Sequence, residues 1–91
     1  VLGGGIACLD LDHCLTDGRP DQRALDVLAR VPGAYVEVSP SGDGLHVWGT
    51  APERPGRRRD GVEAYSVGRY ITVTGRAFRR GGLPDLSEFF E

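Results

Sequence analysis

Three short segments concentrate the side chains that could do chemistry: Asp10-Leu11-Asp12, the stretch from Ser39 to His46, and Val62-Glu63-Ala64-Tyr65. Ile6 to Asp12 is an apolar run of strand length, and strand side chains alternate between faces, so Asp10 and Asp12 share one face while Leu9 and Leu11 take the other. Carboxylates so placed stand roughly 6.5 Å apart at the backbone, close enough to hold one or two divalent ions between them. A half-buried strand gains no stability from such a pair, because like charges repel and desolvating them is costly. The plainer alternative is that both lie on a solvated sheet face. Glu63 alternates with Val62 and Ala64 and points, with Tyr65, away from the apolar side. If its strand lies beside the first, Glu63 completes a set of three carboxylates suited to Mg²⁺ or Mn²⁺; otherwise it is an exposed edge glutamate.

Anion contacts are expected from the middle segment. In Leu45 to Gly49, His46 and Trp48 share one face while Leu45 and Val47 turn to the core. The preceding Ser39-Pro40-Ser41-Gly42-Asp43-Gly44 supplies hydroxyls and backbone N–H groups, and its two glycines permit close approach to a polyanion. Ser39, Ser41 and His46 are therefore candidate phosphate contacts, set against the simpler picture of a chain reversal followed by a surface histidine. Arg69 follows Gly68 at a turn and either clamps a triphosphate or covers the turn. Arg57, Arg58 and Arg59 are either a solvated loop or a flexible basic element able to track a nucleic-acid backbone.

The elements that must position these groups follow from pattern and punctuation. Gly3-Gly4-Gly5 leads into the first strand, and Thr16 to Pro20 reads as a turn. Asp21 is placed to cap a helix whose apolar positions Ala24, Leu25, Val27, Leu28 and Val31 recur at helical spacing, ended by Pro32-Gly33. Tyr35 to Val38 and Leu45 to Gly49 read as strands around a hairpin loop. Thr50 to Gly61 turns polar and reads as an exposed loop; Val62 to Tyr65 and Tyr70 to Thr74 read as strands of a second hairpin. Arg76 to Gly82 reads as a basic loop and Leu83 to Phe90 as the start of a last helix. A strand, a helix and four strands predict an α+β fold, a two-layer sheet with one helix packed on it.

Ninety-one residues, 40% of them hydrophobic, provide for one small domain with a modest core. The chain begins at Val1, has no methionine and stops at Phe89-Phe90-Glu91, in what reads as the middle of a helix, so it is expected to be a partial domain of a longer protein. A net charge of −2 excludes a global basic field, so any polyanion contact must be local; all 11 basic residues are arginine, and they crowd into the second half. Cys8 and Cys14 are too few for a disulfide framework or a four-cysteine zinc site and read as buried free thiols in a reducing cytoplasm. No apolar stretch reaches the length of a membrane span.

Taken together, these residues resemble the primase-polymerase (prim-pol) family of the archaeo-eukaryotic primase superfamily, as found in phages and plasmids. Asp10-Leu11-Asp12-His13-Cys14-Leu15 resembles its first motif, a strand ending in two acidic metal ligands. Glu37 to His46 is similar to the second, whose histidine contacts the incoming nucleotide, and Val62 to Tyr65 with Gly68-Arg69-Tyr70-Ile71-Thr72-Val73-Thr74-Gly75 to the third. The resemblance implies a catalytic palm like an RNA-recognition motif, here without the family's N-terminal DNA-binding module. It implies template-directed nucleotidyl transfer in phage or plasmid DNA replication, in the cytoplasm of a bacterium or phage-infected host. Asp10, Asp12 and Glu63 would hold two Mg²⁺ or Mn²⁺ ions. His46, Ser39, Ser41 and Arg69 would bind the nucleoside triphosphate, and Arg57, Arg58 and Arg59 the DNA template and primer; no membrane is implied, and a helicase domain in the same parent chain is left open. Two competitors stand beside it. Asp10 to Gly18 also resembles the nucleophile motif of haloacid-dehalogenase-type phosphatases, although that family needs a lysine and this chain has none. The other is a non-catalytic DNA-binding module with vestigial carboxylates.

Overall fold

Alternation along Ile6–Leu11 (β1) places Ala7, Leu9 and Leu11 on one face, all fully buried, and the polar face opposite receives Asp10. The computed structural model describes residues 1–91. A tight hairpin follows, Leu15–Thr16 (β2) against Arg19–Pro20 (β3), turned by Asp17-Gly18 with positive φ at both residues, as a two-residue turn requires. The helix Gln22–Arg30 (α1) is capped by Asp21, which is extended and whose Oδ1 accepts the N–H of Ala24. It buries Ala24, Val27 and Leu28, and stops where Val31 precedes Pro32, a position that disfavours helical backbone.

The remaining strands are Val36–Val38 (β4), Leu45–Thr50 (β5), Arg57–Arg59 (β6), Val62–Tyr65 (β7) and Ala77–Arg79 (β8), with a short 3-10 turn at Ser87–Phe90. Six of them form one sheet in the order β6-β7-β1-β5-β4-β8, every pair antiparallel. The core lies between one face of this sheet (Leu9, Leu11, Val36, Leu45, Val47, Ala64) and the layer of α1 with Leu86 and Phe90. Gly49 makes the C-terminal contact possible. A Cβ there would stand 2.3 Å from the Pro84 carbonyl and 2.5 Å from Leu86 Cγ, whereas the bare glycine lets Thr50 exchange backbone hydrogen bonds with Pro84 and Leu86.

The expected α+β class and the helix-on-sheet layering hold. Four local expectations are corrected. Arg57–Arg59 is not loop but an edge strand, joined to β7 by an Asp60-Gly61 turn with both φ positive. Tyr70 to Thr74 is not a strand: it runs without ladder pairing across the sheet face opposite α1. Within the supposed basic loop, Ala77–Arg79 pairs with β4, and Arg79 secures the end of α1 and the turn after it by donating to the carbonyls of Leu28, Val31 and Ala34. The last helix is reduced to the 3-10 turn, because Pro84 and Asp85 hold the preceding residues in a bridge to β5.

Candidate active site

Cross-strand register turns five strands into a single line of side chains. Arg58 lies opposite Glu63, Glu63 opposite Asp10, Asp10 opposite His46, and His46 opposite Glu37, so one row crosses β6, β7, β1, β5 and β4. Directly opposed residues share a face with Cβ atoms about 4.5–5.5 Å apart, so the row is a continuous polar stripe. Asp12, one step beyond the end of β1, is exposed beside it. The next row on the same face is Tyr65, Cys8 and Trp48, which with Leu2, Tyr35 and Ile71 form a second, smaller apolar cluster.

That cluster is closed by a strap, residues 67–75. The backbone of Leu2 bonds to Gly68 and Arg69 at one end of the strap. At the other end, Glu37 accepts the N–H groups of Thr74 (3.0 Å) and Gly75 (2.9 Å), as well as the hydroxyl of Tyr35 (2.7 Å). Burial pushes the Glu37 carboxyl up, but these three donors together outweigh it and hold the group below its usual range. The strap also covers His46, whose side chain is only 8% exposed, and burial holds the imidazole below its ordinary pKa against the pull of Asp12 and Glu37.

Asp10 is the most strained charge in the row. Its side chain is 13% exposed, and its Oδ1 stands 3.6 Å from His46 Nε2, too far for a hydrogen bond, leaving that oxygen buried without a partner. Burial first, then Asp12 and Glu63, push its pKa up to about 6, with Arg69 opposing. Glu63 is held low, chiefly by the Tyr65 hydroxyl at 2.6 Å on Oε1 and also by Arg58 on Oε2. An orphaned buried oxygen flanked by two further carboxylates is the donor chemistry of a hard divalent cation. As they stand, no three His, Cys, Asp or Glu side chains are gathered tightly enough to cage an ion, and each Glu63 oxygen accepts a hydrogen bond.

The other sequence candidates fall in distinct places. Ser39 is buried, its Oγ accepting the Gly44 N–H and lying 2.9 Å from Ser41 Oγ, while Ser41 donates to Asp43, so the loop closes on itself beside the end of β1. A Cβ at Gly44 would stand 2.9 Å from the Leu11 carbonyl, which shows how closely the loop abuts that strand end. Arg69 lies 4.3 Å over the Tyr65 ring. Of the arginine strand, Arg58 alone joins the polar row; Arg57 and Arg59 pair with Ala64 and Val62 and share their face. Arg59 lines a cleft of about 520 Å³ between α1 and the β6–β7 edge, where Arg23 and Arg30 are balanced by Asp26, Asp60 and Glu88; this cleft is across the sheet from Asp10. Glu37, the His13–Asp43 pair at 2.7 Å and the strap were not foreseen as parts of the site.

No protein-family model matches the chain. It is 38% identical over 89 residues to a DNA primase-polymerase of the Nitratiruptor phage NrS-1, an alignment covering 88% of this chain. The chain spans 12% of the length of that relative.

Proposed function

We propose that this chain contributes the nucleotidyl-transfer centre of a DNA primase-polymerase, with nucleoside triphosphates and a DNA template and primer as substrates. The observation that carries the reading is the register of Glu63, Asp10 and His46 on three adjacent strands, with Asp12 one step along the same face. The likeness to the phage primase-polymerase supports the same reaction class. In this reading Asp10, Asp12 and Glu63 hold two Mg²⁺ or Mn²⁺ ions, and bound ions of this kind lower the barrier by activating the attacking hydroxyl and neutralising the leaving phosphate. Burial favours the neutral form of His46, which in this reading gives the triphosphate a hydrogen bond. Ser39 shapes the loop through its bond to the Gly44 N–H, Ser41 bonds to Ser39 and Asp43 within that loop, and Arg69 lies over Tyr65, which shares the Asp10 face. Arg57 and Arg59 lie exposed on the edge strand, on the face opposite Asp10, and in this reading meet a phosphate backbone that wraps that edge.

The reading is tested by comparing Asp10→Asn with Glu63→Gln for template-directed nucleotide incorporation and for phosphate-ester hydrolysis. Each removes one charge from the same cluster, so both variants are expected to lose incorporation while remaining folded. In a phosphatase with Asp10 as nucleophile, Asp10→Asn would be inactive while Glu63→Gln kept substantial hydrolysis, and such a split would refute the polymerase reading. If neither change matters but replacing Arg57, Arg58 and Arg59 by alanine weakens DNA binding and flattens its salt dependence, the chain is a binding module.

A further inference from the structure

We propose that Arg58 is the resident counter-cation of the carboxylate cluster, seated on Glu63 until a divalent ion displaces it. The inference rests on the reading of Asp10, Asp12 and Glu63 as ion ligands and adds a competitor built into the same chain. Arg58 lies directly across from Glu63, and its Nη2 contacts Oε2, while Oε1 is taken by Tyr65. Both Glu63 oxygens are thus already hydrogen-bonded, beside Asp10, whose own Oδ1 is buried without a partner. A guanidinium and a divalent ion on one carboxylate repel each other, so each weakens the other's hold and the two compete for Glu63.

The exchange needs little rearrangement. The Arg58 side chain is 75% exposed and makes no other side-chain hydrogen bond, and β6 is the outermost strand of the sheet. Swinging the guanidinium into solvent therefore breaks no ladder bond. Neither neighbour can take its place, because alternation sends Arg57 and Arg59 to the opposite face. With Arg58 75% exposed and held by this one contact, the pair can yield to a doubly charged ion, and while it stands it offsets one of the three carboxylate charges.

The test is Mn²⁺ affinity, read from the free-ion electron paramagnetic resonance signal at low ionic strength, for the wild-type chain, Arg58→Met, Glu63→Gln and the double variant. Circular dichroism checks that each is folded, and Arg58→Gln serves as a second replacement. Arg58→Met is expected to bind Mn²⁺ about threefold to tenfold more tightly than wild type, since the ion no longer has to displace a cation. Glu63→Gln should bind more weakly, and adding Arg58→Met to it should change affinity less than about twofold, because the seat of the guanidinium is already gone. Unchanged or weaker binding by Arg58→Met, or equal tightening in the Glu63→Gln background, would overturn the role of Arg58 alone. Absence of Mn²⁺ binding in all four proteins would overturn the ion-site reading beneath it.

Discussion

Replacing Glu37 by glutamine should loosen the strap and lower stability by about 2–4 kcal/mol, although the change is nearly isosteric. The carboxylate accepts three donors from two directions, Thr74 on Oε1 and Tyr35 with Gly75 on Oε2. An amide nitrogen at either position confronts a donor with a donor, which costs about 1–3 kcal/mol for the unsatisfied group, and the bonds that remain lose their charge assistance. Relief of the buried charge works the other way, but the three donors hold the Glu37 carboxyl below its usual range, so the folded state is expected to favour the ionised form. For a domain of this size the loss corresponds to a fall in melting temperature of roughly 10–20 °C. Urea unfolding at pH 7 measures the energy, and hydrogen exchange at the Thr74 and Gly75 amides locates it. Because the folded pKa is below the ordinary value, the Glu37 contribution is present above that value and disappears as pH falls through the folded pKa, so wild type and variant should converge in acid. A difference under about 0.5 kcal/mol at neutral pH with unchanged Thr74 and Gly75 exchange, or a gap that widens as pH falls, would refute the role given to this carboxylate.

Three further outcomes are expected. Gly49→Ala should destabilise by about 1–3 kcal/mol or detach the C-terminal turn, since its Cβ would meet Pro84 and Leu86; loss of the Leu86 contacts in nuclear Overhauser spectra separates the two. Arg79→Ala should cost about 1–3 kcal/mol in urea unfolding by removing its hydrogen bonds to the carbonyls of Leu28, Val31 and Ala34, with exchange accelerating first at the last turn of α1. In a proton magnetic resonance titration without divalent ions, His13 should titrate above the usual histidine value because Asp43 bonds it, and His46 below it because it is buried; the reverse order would contradict the described burial.

Much of the site was legible because it depends on alternation in strands with a strong apolar face. Leu9, Leu11, Leu45 and Val47 alternate cleanly with Asp10 and His46, and this fixes which side chains share a face whatever the strand order. That Glu63 lies beside Asp10 was a conditional expectation, and the β1–β7 register fulfils it. The edge strands were missed because an edge need not bury either face: Arg57-Arg58-Arg59 has no hydrophobic alternation, and only the Asp60-Gly61 turn announces its hairpin. Tyr70 to Thr74 failed in the opposite sense. Its composition suits a strand, but both edges of β1 are taken by β5 and β7, and β6 takes the far edge of β7, so the segment packs Ile71 across the sheet instead of joining it. The burial of Glu37 depends on donors 37 and 38 residues away, a relation that no local pattern carries.

The strap also links folding energy to ligand affinity. With the His46 ring almost wholly covered and the strap backbone at Thr72 beside it, a ligand that must touch it would bind only the fraction of molecules in which residues 67–75 have lifted. Apparent affinity then equals intrinsic affinity multiplied by that fraction, so an open population of about 1% weakens binding about 100-fold. The bonds made by Glu37 set this population, and they do so without touching the ligand. Variants that weaken the strap should consequently melt earlier and yet bind a His46-dependent ligand more tightly, so that stability and affinity run in opposite directions along one series of substitutions.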